Sequence, residues 1–329
     1  MKNWDRQSIM ELATAYKTVS VFHAAIDLDV FTLLHKKPRG AKDMADAAGS
    51  DVRAMSILLD ALSATGMLRK SNGVYSVDEK TASLLSSEGD ESLWHMMNHH
   101  CHLFTSWARL AETVRTGGPV VPSGRAARQK KTLKAFIGAM HDIGRMRAAD
   151  VTASLDLSDA ERILDVGAGP GTYTMEFLKR NSTLTVTHFD LPEVTAIAQE
   201  YIAEEGLSDR VIFESGDFEN DELPGNHDLA WVSAIIHQQG RKENRALFEK
   251  IYRALVPSGR IIVRDHILSP DRTSPAPAAL FAVNMLVRTK TGGCFTFDEV
   301  REDLESAGFR EVEQIKTDIH MDGLVHAIR

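Results

Sequence analysis

A short apolar run at residues 163–166 leads directly into Gly167-Ala168-Gly169-Pro170-Gly171-Thr172, and two later runs each end at an acid. Asp190 follows residues 184–189, and Asp217 follows residues 211–214 by way of Ser215-Gly216. Glycines let a backbone turn tightly and let a ligand approach the main chain. A dinucleotide fingerprint puts its third glycine five positions after its first; that position here is Thr172, and Gly171 comes one place early. Asp165, two residues before Gly167, is a carboxylate suited to an ammonium group and poorly suited to a pyrophosphate. No Gly-Lys-Ser/Thr follows, which excludes a P-loop. Asp190 suits ribose hydroxyls, which donate hydrogen bonds to a carboxylate. Asp217 can accept from an adenine amino group, and Phe218 can cover the ring face. Acids after three successive strands, all on the carboxyl edge of one sheet, describe a cleft for a cationic nucleoside.

A fourth apolar run, 229–233, continues through Ser233-Ala234-Ile235-Ile236 to His237. A neutral imidazole, with a reference pKa of about 6.5, accepts a proton near neutrality. Most of the 13 histidines are expected to be structural, but His237 ends a buried strand on the same edge as the acids. His95, His99 and His102 lie at helical spacing with no carboxylate among them. Zinc-finger spacing is absent as well, so a helix lining a pocket or interface is expected there, and no metal.

The elements that must position these residues form two halves. Over 151–329, strand-like runs at 163–166, 184–189, 211–214, 229–233 and 261–263 alternate with helical patterns at 174–179, 194–204 and 241–255. That alternation predicts an α/β fold with a parallel sheet covered on both faces. After a helix at 297–307, the runs 311–315 and 324–328 flank Met321-Asp322-Gly323 and are expected to close the sheet as an antiparallel hairpin. Residues 1–150 read as helices, interrupted by Gly117-Gly118-Pro119 and Pro122-Ser123-Gly124. The few polar residues in 8–35 point to helices burying more than one face, against a second subunit. A helix, a turn, a helix at 51–65 and a hairpin at Asn72-Gly73 outline a winged helix. Its reading helix holds Asp51 and Asp60 against a single Arg53, whereas phosphate contacts need clustered Lys and Arg. Residues 1–150 carry 20 Lys+Arg against 16 Asp+Glu, and residues 151–329 carry 18 against 30. The acidic half argues against a polyanion as ligand, and no nucleic-acid partner is expected. Two cysteines in 329 residues exclude a disulfide framework and point to a reducing interior. No signal-peptide core and no membrane-length apolar run is seen, so a cytoplasmic protein without a membrane partner is expected.

On these residues the chain resembles the S-adenosylmethionine-dependent O-methyltransferases of the plant caffeic-acid type, a family with many bacterial small-molecule members. The likeness covers nearly the whole chain. Its most specific stretches are 164–172, Phe189-Asp190-Leu191-Pro192-Glu193-Val194, Gly216-Asp217-Phe218 and Ser233-Ala234-Ile235-Ile236-His237. The resemblance implies a Rossmann-like methyltransferase sheet at 151–329, preceded at 1–150 by a winged-helix dimerisation and lid domain, and hence a homodimer. It implies S-adenosylmethionine as cofactor, held by Asp165, Gly167, Gly169, Gly171, Asp190, Leu191, Asp217, Phe218 and Ser233. It further implies His237 as general base, oriented by Asp265, and a small-molecule substrate lined by Met140, Phe281, Asn284 and Met285.

Two departures stand out. Gln238-Gln239-Gly240 follows the histidine where the plant-type enzymes have an acid, and Gly292-Gly293 is followed by Cys294-Phe295-Thr296-Phe297 with no second acid. A non-methylating enzyme of the same fold is therefore an alternative expectation, with hydroxylation or decarboxylation as its chemistry. A cofactor-sensing winged-helix regulator is a further one.

Overall fold

The computed structural model describes residues 3–120, 130–317 and 319–329. The expected break at Pro122-Ser123-Gly124 lies outside the described residues. The chain divides into two compact units, Met1–Phe104 and Thr105–Arg329. The change of rhythm near residue 150 marks where strand and helix begin to alternate, while the packing divides some 45 residues earlier. The helices in between pack with the sheet unit.

The first unit holds α1 (Arg6–Thr14), α2 (Tyr16–Asp27), α3 (Val30–Lys36), β1 (Arg39–Gly40), α4 (Ala41–Ala48) and α5 (Val52–Ala64). Strands β2 (Arg69–Ser71) and β3 (Val74–Ser76), helix α6 (Glu79–Leu85) and most of α7 (Trp94–Trp107) complete it. Asp51 starts α5 by accepting the Ala54 N–H at 2.8 Å, which satisfies one of the amides a helix start leaves open. Asn72 and Gly73 take φ 49° and 77°, the left-handed pair a two-residue hairpin needs, and β1 joins as a third strand in the order β1-β3-β2. Asp60 accepts from Lys70 Nζ at 2.5 Å and from the Tyr75 hydroxyl at 2.8 Å, tying α5 to the hairpin. Ile26, Phe31, Met44 and Leu59 form the core beneath these elements. Within one chain α3 buries Val30, Phe31, Thr32 and Leu34, whereas α1 stays in solvent. None of α1 is buried, and Ile9, Met10 and Leu12 are all more than half exposed.

The second unit opens with α8 (Leu110–Thr116), α9 (Lys130–Arg145) and α10 (Ala148–Ala153). Then follow β4 (Arg162–Val166), α11 (Thr172–Arg180), β5 (Thr185–Asp190), α12 (Pro192–Glu204), β6 (Val211–Ser215) and β7 (His227–Ser233). The remainder is α13 (Arg241–Ala254), β8 (Leu255–Asp265), β9 (Ile267–Leu268), α14 (Ala276–Arg288), β10 (Phe295–Thr296), α15 (Phe297–Ser306), β11 (Arg310–Lys316) and β12 (Gly323–Ile328). Seven strands make one sheet in the order β11-β12-β8-β7-β4-β5-β6, parallel from β8 to β6 and antiparallel where β12 meets β8 and β11. Successive residues of a strand face opposite sides, so Leu164 and Val166 join α13 and α15 on one face while Ile163 joins α10 and α11 on the other. Each such side chain contributes roughly 1.5–3 kcal/mol by leaving water, which fixes the register of β4 firmly. The chain runs outward from β4 through β5 to β6, then returns to place β7 on the other side of β4. That switch point is where open α/β sheets leave a crevice at the carboxyl ends of their strands.

Candidate active site

At the switch point, Gly167, Gly169 and Gly171 take φ 64°, 57° and 75°. Gly167 has no room for a side chain: a Cβ there would lie 2.4 Å from Ile235 Cδ1 and 3.4 Å from the Phe218 ring. At Gly169 the same atom would meet nothing within 4 Å, so the loop has open space beside it. The loop is tied to β5 by Gly167 N–H donating to the Phe189 carbonyl at 2.8 Å and by Gly169 N–H donating to Asp190 Oδ2 at 2.7 Å. Asp190 Oδ1 accepts from the Leu191 N–H at 2.7 Å, at the start of α12. Beneath the loop, the fully buried His188 places Nε2 3.0 Å from the Gly169 carbonyl, and burial pushes this histidine down to about 4. The ring is therefore neutral near pH 7, and since a carbonyl only accepts, Nε2 carries the hydrogen.

From sequence, Asp165 is expected to face an ammonium group across the cleft. It is instead 2% exposed, because β4 is covered on both faces, and its Oδ2 accepts from the Thr174 hydroxyl at 2.7 Å. Burial pushes it up to about 7, opposed by the Thr174 bond and reinforced by the charge of Asp190. Asp165 thus supports the loop from below. Asp217 and Phe218 are half-buried; the Asp217 carboxylate accepts from the Glu219 N–H and Asn220 Nδ2, each at 3.1 Å. Ser233, at the end of β7, accepts from Arg264 at 3.1 Å.

The sheet edge also carries a buried pair. A 3-10 turn, Ile236–Gln238, sets His237 Nδ1 2.8 and 3.0 Å from the two carboxylate oxygens of Asp265 at the end of β8. Asp265 is fully buried, which alone would raise its pKa. The charge and hydrogen bond of His237 and the His266 N–H outweigh burial and hold it below the usual carboxylate range. An ionised carboxylate only accepts, so Nδ1 carries a hydrogen, and in the neutral ring the lone pair sits on Nε2, to which no described residue bonds. Phe281 of α14 stands edge-on to the His237 ring at 4.9 Å and meets His266 at the same distance. On the same helix, Asn284 Oδ1 accepts from Trp107 Nε1 at 3.1 Å and Met285 is buried. Met140 is half-buried on α9, whose next residue, His141, bonds the Thr172 hydroxyl at 2.9 Å at the start of α11. The missing second acid does not leave His237 unsupported. Gly293 N–H donates to the His237 carbonyl at 2.9 Å, and Thr291 Oγ1 accepts from the Gly240 N–H at 3.1 Å. Thr174, Arg264 and this backbone clamp escape a reading of the sequence: Thr174 acts through a tertiary bond to Asp165, and the other two reach across tens of residues. The Gly292-Gly293 pair was their only visible mark.

Among the described residues, no cluster of three His, Cys, Asp or Glu could hold a metal ion. An O-methyltransferase domain model matches residues 107–310, and an O-methyltransferase dimerisation domain model matches residues 10–87. The chain is 31% identical to the tetracenomycin polyketide synthesis 8-O-methyltransferase of Streptomyces glaucescens, over 92% of this chain and 91% of that one. It is 30% identical to the 3-hydroxy-5-methyl-1-naphthoate 3-O-methyltransferase of Streptomyces sahachiroi, over 94% and 90%. Human N-acetylserotonin methyltransferase, solved in complex with S-adenosylmethionine, superposes with a TM-score of 0.86 at 25% identity, over 100% of this chain and 99% of that one. With a glycine loop, an acid-tipped sheet edge and a buried His–Asp pair inside the span of the first model, this chain belongs to the O-methyltransferase family and carries that family's dimerisation domain ahead of the catalytic one.

Proposed function

We propose that the chain transfers the methyl group of S-adenosylmethionine to a hydroxyl of an aromatic or polyketide-like small molecule, with His237 as general base. The observation that carries this reading is the His237–Asp265 pair standing on the same sheet edge as the three-glycine loop. The donor set fits the cofactor: Gly169 has open space beside it, and the amides of Gly169 and Leu191 hold the Asp190 carboxylate, an acceptor suited to ribose hydroxyls, at the tip of β5. Gly167, Gly171, Leu191, Asp217, Phe218 and Ser233 would complete the holding set, with Asp165 beneath it. The relatives named for polyketide and naphthoate substrates support an aromatic acceptor, as does Phe281 between two imidazoles. The reading includes a homodimer formed through the first unit, whose helix-turn-helix and hairpin we take as a winged helix used for packing. It also includes a cytoplasmic location, supported by two cysteines that form no disulfide.

S-adenosylmethionine supplies a methyl group on a sulfonium, already a strong electrophile. Asp265 fixes the tautomer and the ring plane of His237. Nε2 then takes the proton of the acceptor hydroxyl, and the buried carboxylate steadies the imidazolium that results. Phe281 limits rotation of the ring and excludes water from one side. Holding acceptor and cofactor in line can supply about 7–11 kcal/mol, whereas a positioned base adds about 10²–10⁴-fold, or roughly 3–5 kcal/mol. Alignment is the larger contribution. His237→Ala should therefore keep its affinity for S-adenosylhomocysteine by calorimetry and lose about 10²–10⁴-fold in kcat on the true acceptor, without reaching zero. Unchanged turnover removes His237 as base; no binding of S-adenosylmethionine or S-adenosylhomocysteine by the unaltered protein removes the whole reading.

A further inference from the structure

Arg264 is a buried cation that forms no ion pair among the described residues. It lies one residue before Asp265 in β8, 5% exposed, on the opposite face of the sheet from the His237–Asp265 pair. One terminal nitrogen donates to Ser233 Oγ at 3.1 Å, across the register pair that joins the ends of β7 and β8. The guanidinium carbon stands 5.1 Å from the centre of the Tyr173 ring. Its Nε is buried and without a partner, and so is the hydroxyl of Tyr173 beside it. No described carboxylate forms an ion pair with Arg264; the nearby Asp322 is engaged by Lys316 at 2.9 Å and by the N–H groups of Ile319 and His320. A guanidinium keeps its charge at any working pH, so it cannot relieve its burial by losing a proton. A buried charge left unpaired costs several kcal/mol, and the common remedy is an anion from outside.

We propose that Arg264, with Ser233 and Tyr173, is a receptor for a single carboxylate at the catalytic edge. The planar fork of Arg matches a carboxylate with two parallel bonds, and the two hydroxyl groups add donors on either side. A polyphosphate is a poor fit, with one cation in a half that carries 18 Lys+Arg against 30 Asp+Glu. Two molecules at this edge could bring the carboxylate: the amino-acid part of S-adenosylmethionine, or an acidic acceptor. The proposal rests on the methyl-transfer reading only for the first of these.

The test compares S-adenosylhomocysteine, which has the carboxylate, with 5′-methylthioadenosine, which lacks it, by calorimetry on the unaltered chain, Arg264→Gln and Arg264→Lys. A third ligand pair, 3-hydroxy-2-naphthoate and 2-naphthol, probes the acceptor. A charge-assisted bond contributes about 1.5–3 kcal/mol, which predicts roughly 10–100-fold weaker S-adenosylhomocysteine binding in Arg264→Gln with methylthioadenosine unchanged. Arg264→Lys should recover part of that loss, and it keeps the test open should the glutamine variant melt early. If instead only the hydroxynaphthoate loses affinity, the carboxylate is the acceptor's. Equal losses for ligands with and without the carboxylate, or no loss for either pair, overturn the proposal. Failure of the unaltered chain to bind either nucleoside overturns the methyl-transfer reading, and the naphthoate pair then decides on Arg264.

Discussion

Asp165 and His188 are register partners on β4 and β5, both buried beneath the glycine loop, and burial acts on them with opposite consequences for stability. His188 is held at about 4, below its unfolded value of about 6.5, so the folded state resists its protonation. The stability it contributes is complete above pH 6.5 and is lost as pH falls towards 4, about 3 kcal/mol in all. Asp165 is held at about 7, above its unfolded 3.8, so the folded state keeps this proton longer. Its contribution, about 4 kcal/mol, is complete below pH 3.8 and is lost as pH rises towards 7. Between pH 4 and 6.5 the two slopes cancel in the unaltered chain. His188→Gln, which preserves a donor for the Gly169 carbonyl, should become less stable relative to the unaltered chain as pH rises across that window. Asp165→Asn should do the reverse. Urea unfolding at pH 4.5, 5.5 and 6.5 checks this, and curves parallel to that of the unaltered chain would contradict it.

At the scale of elements, the segment after α14 bonds the backbone around His237 where the plant-type pattern has a second acid. A Cβ on Gly292 would lie 2.4 Å from the His237 carbonyl oxygen and 2.9 Å from the Gln238 carbonyl carbon, both main-chain atoms, so it cannot be fitted without moving His237. Displacing a reacting group by about 1 Å costs on the order of 10²-fold. Gly292→Ala should lower kcat by about that factor and leave S-adenosylhomocysteine affinity alone. Gly293→Ala, where a Cβ meets nothing within 4 Å, serves as the control and should keep nearly full kcat. Equal losses in both, or none in Gly292→Ala, would show that the clamp does not position His237. The same clamp explains what the sequence left unreadable. Short apolar runs ending in Asp190, Asp217 and Ser233-Ala234-Ile235-Ile236-His237 are local signals, and they located the sheet and its working edge. A backbone N–H is carried by almost every residue, so the bond from Gly293 to a residue 56 positions earlier leaves no compositional mark. The surroundings of Asp165 were hidden for a related reason: its place in the chain locates the strand end, but only the packing of α11 reveals that Thr174 covers it.

For the whole molecule, the unresolved energetic question is α1. It has nine residues, and none of them is buried in the single chain. Isolated helices shorter than about 12–15 residues are marginal in water, and this one also leaves Ile9, Met10 and Leu12 in solvent. The dimerisation model begins at residue 10, within this helix, and Tyr16 and Val19 of α2 extend the exposed apolar surface. A second copy of the chain is the partner that would give these side chains the burial they lack, at roughly 1.5–3 kcal/mol for each one fully covered. The aspartates of Ile9→Asp/Leu12→Asp would have to be desolvated in such an interface but would stand harmlessly in water on a lone chain. This double variant should sediment as a monomer at concentrations where the unaltered protein is a dimer. Because the glycine loop, Asp190 and the His237–Asp265 pair all lie in the other unit, the monomer should still bind S-adenosylhomocysteine. A variant that stays dimeric would move the interface away from α1. One that loses cofactor binding along with the dimer would mean that the cleft depends on the partner for its shape.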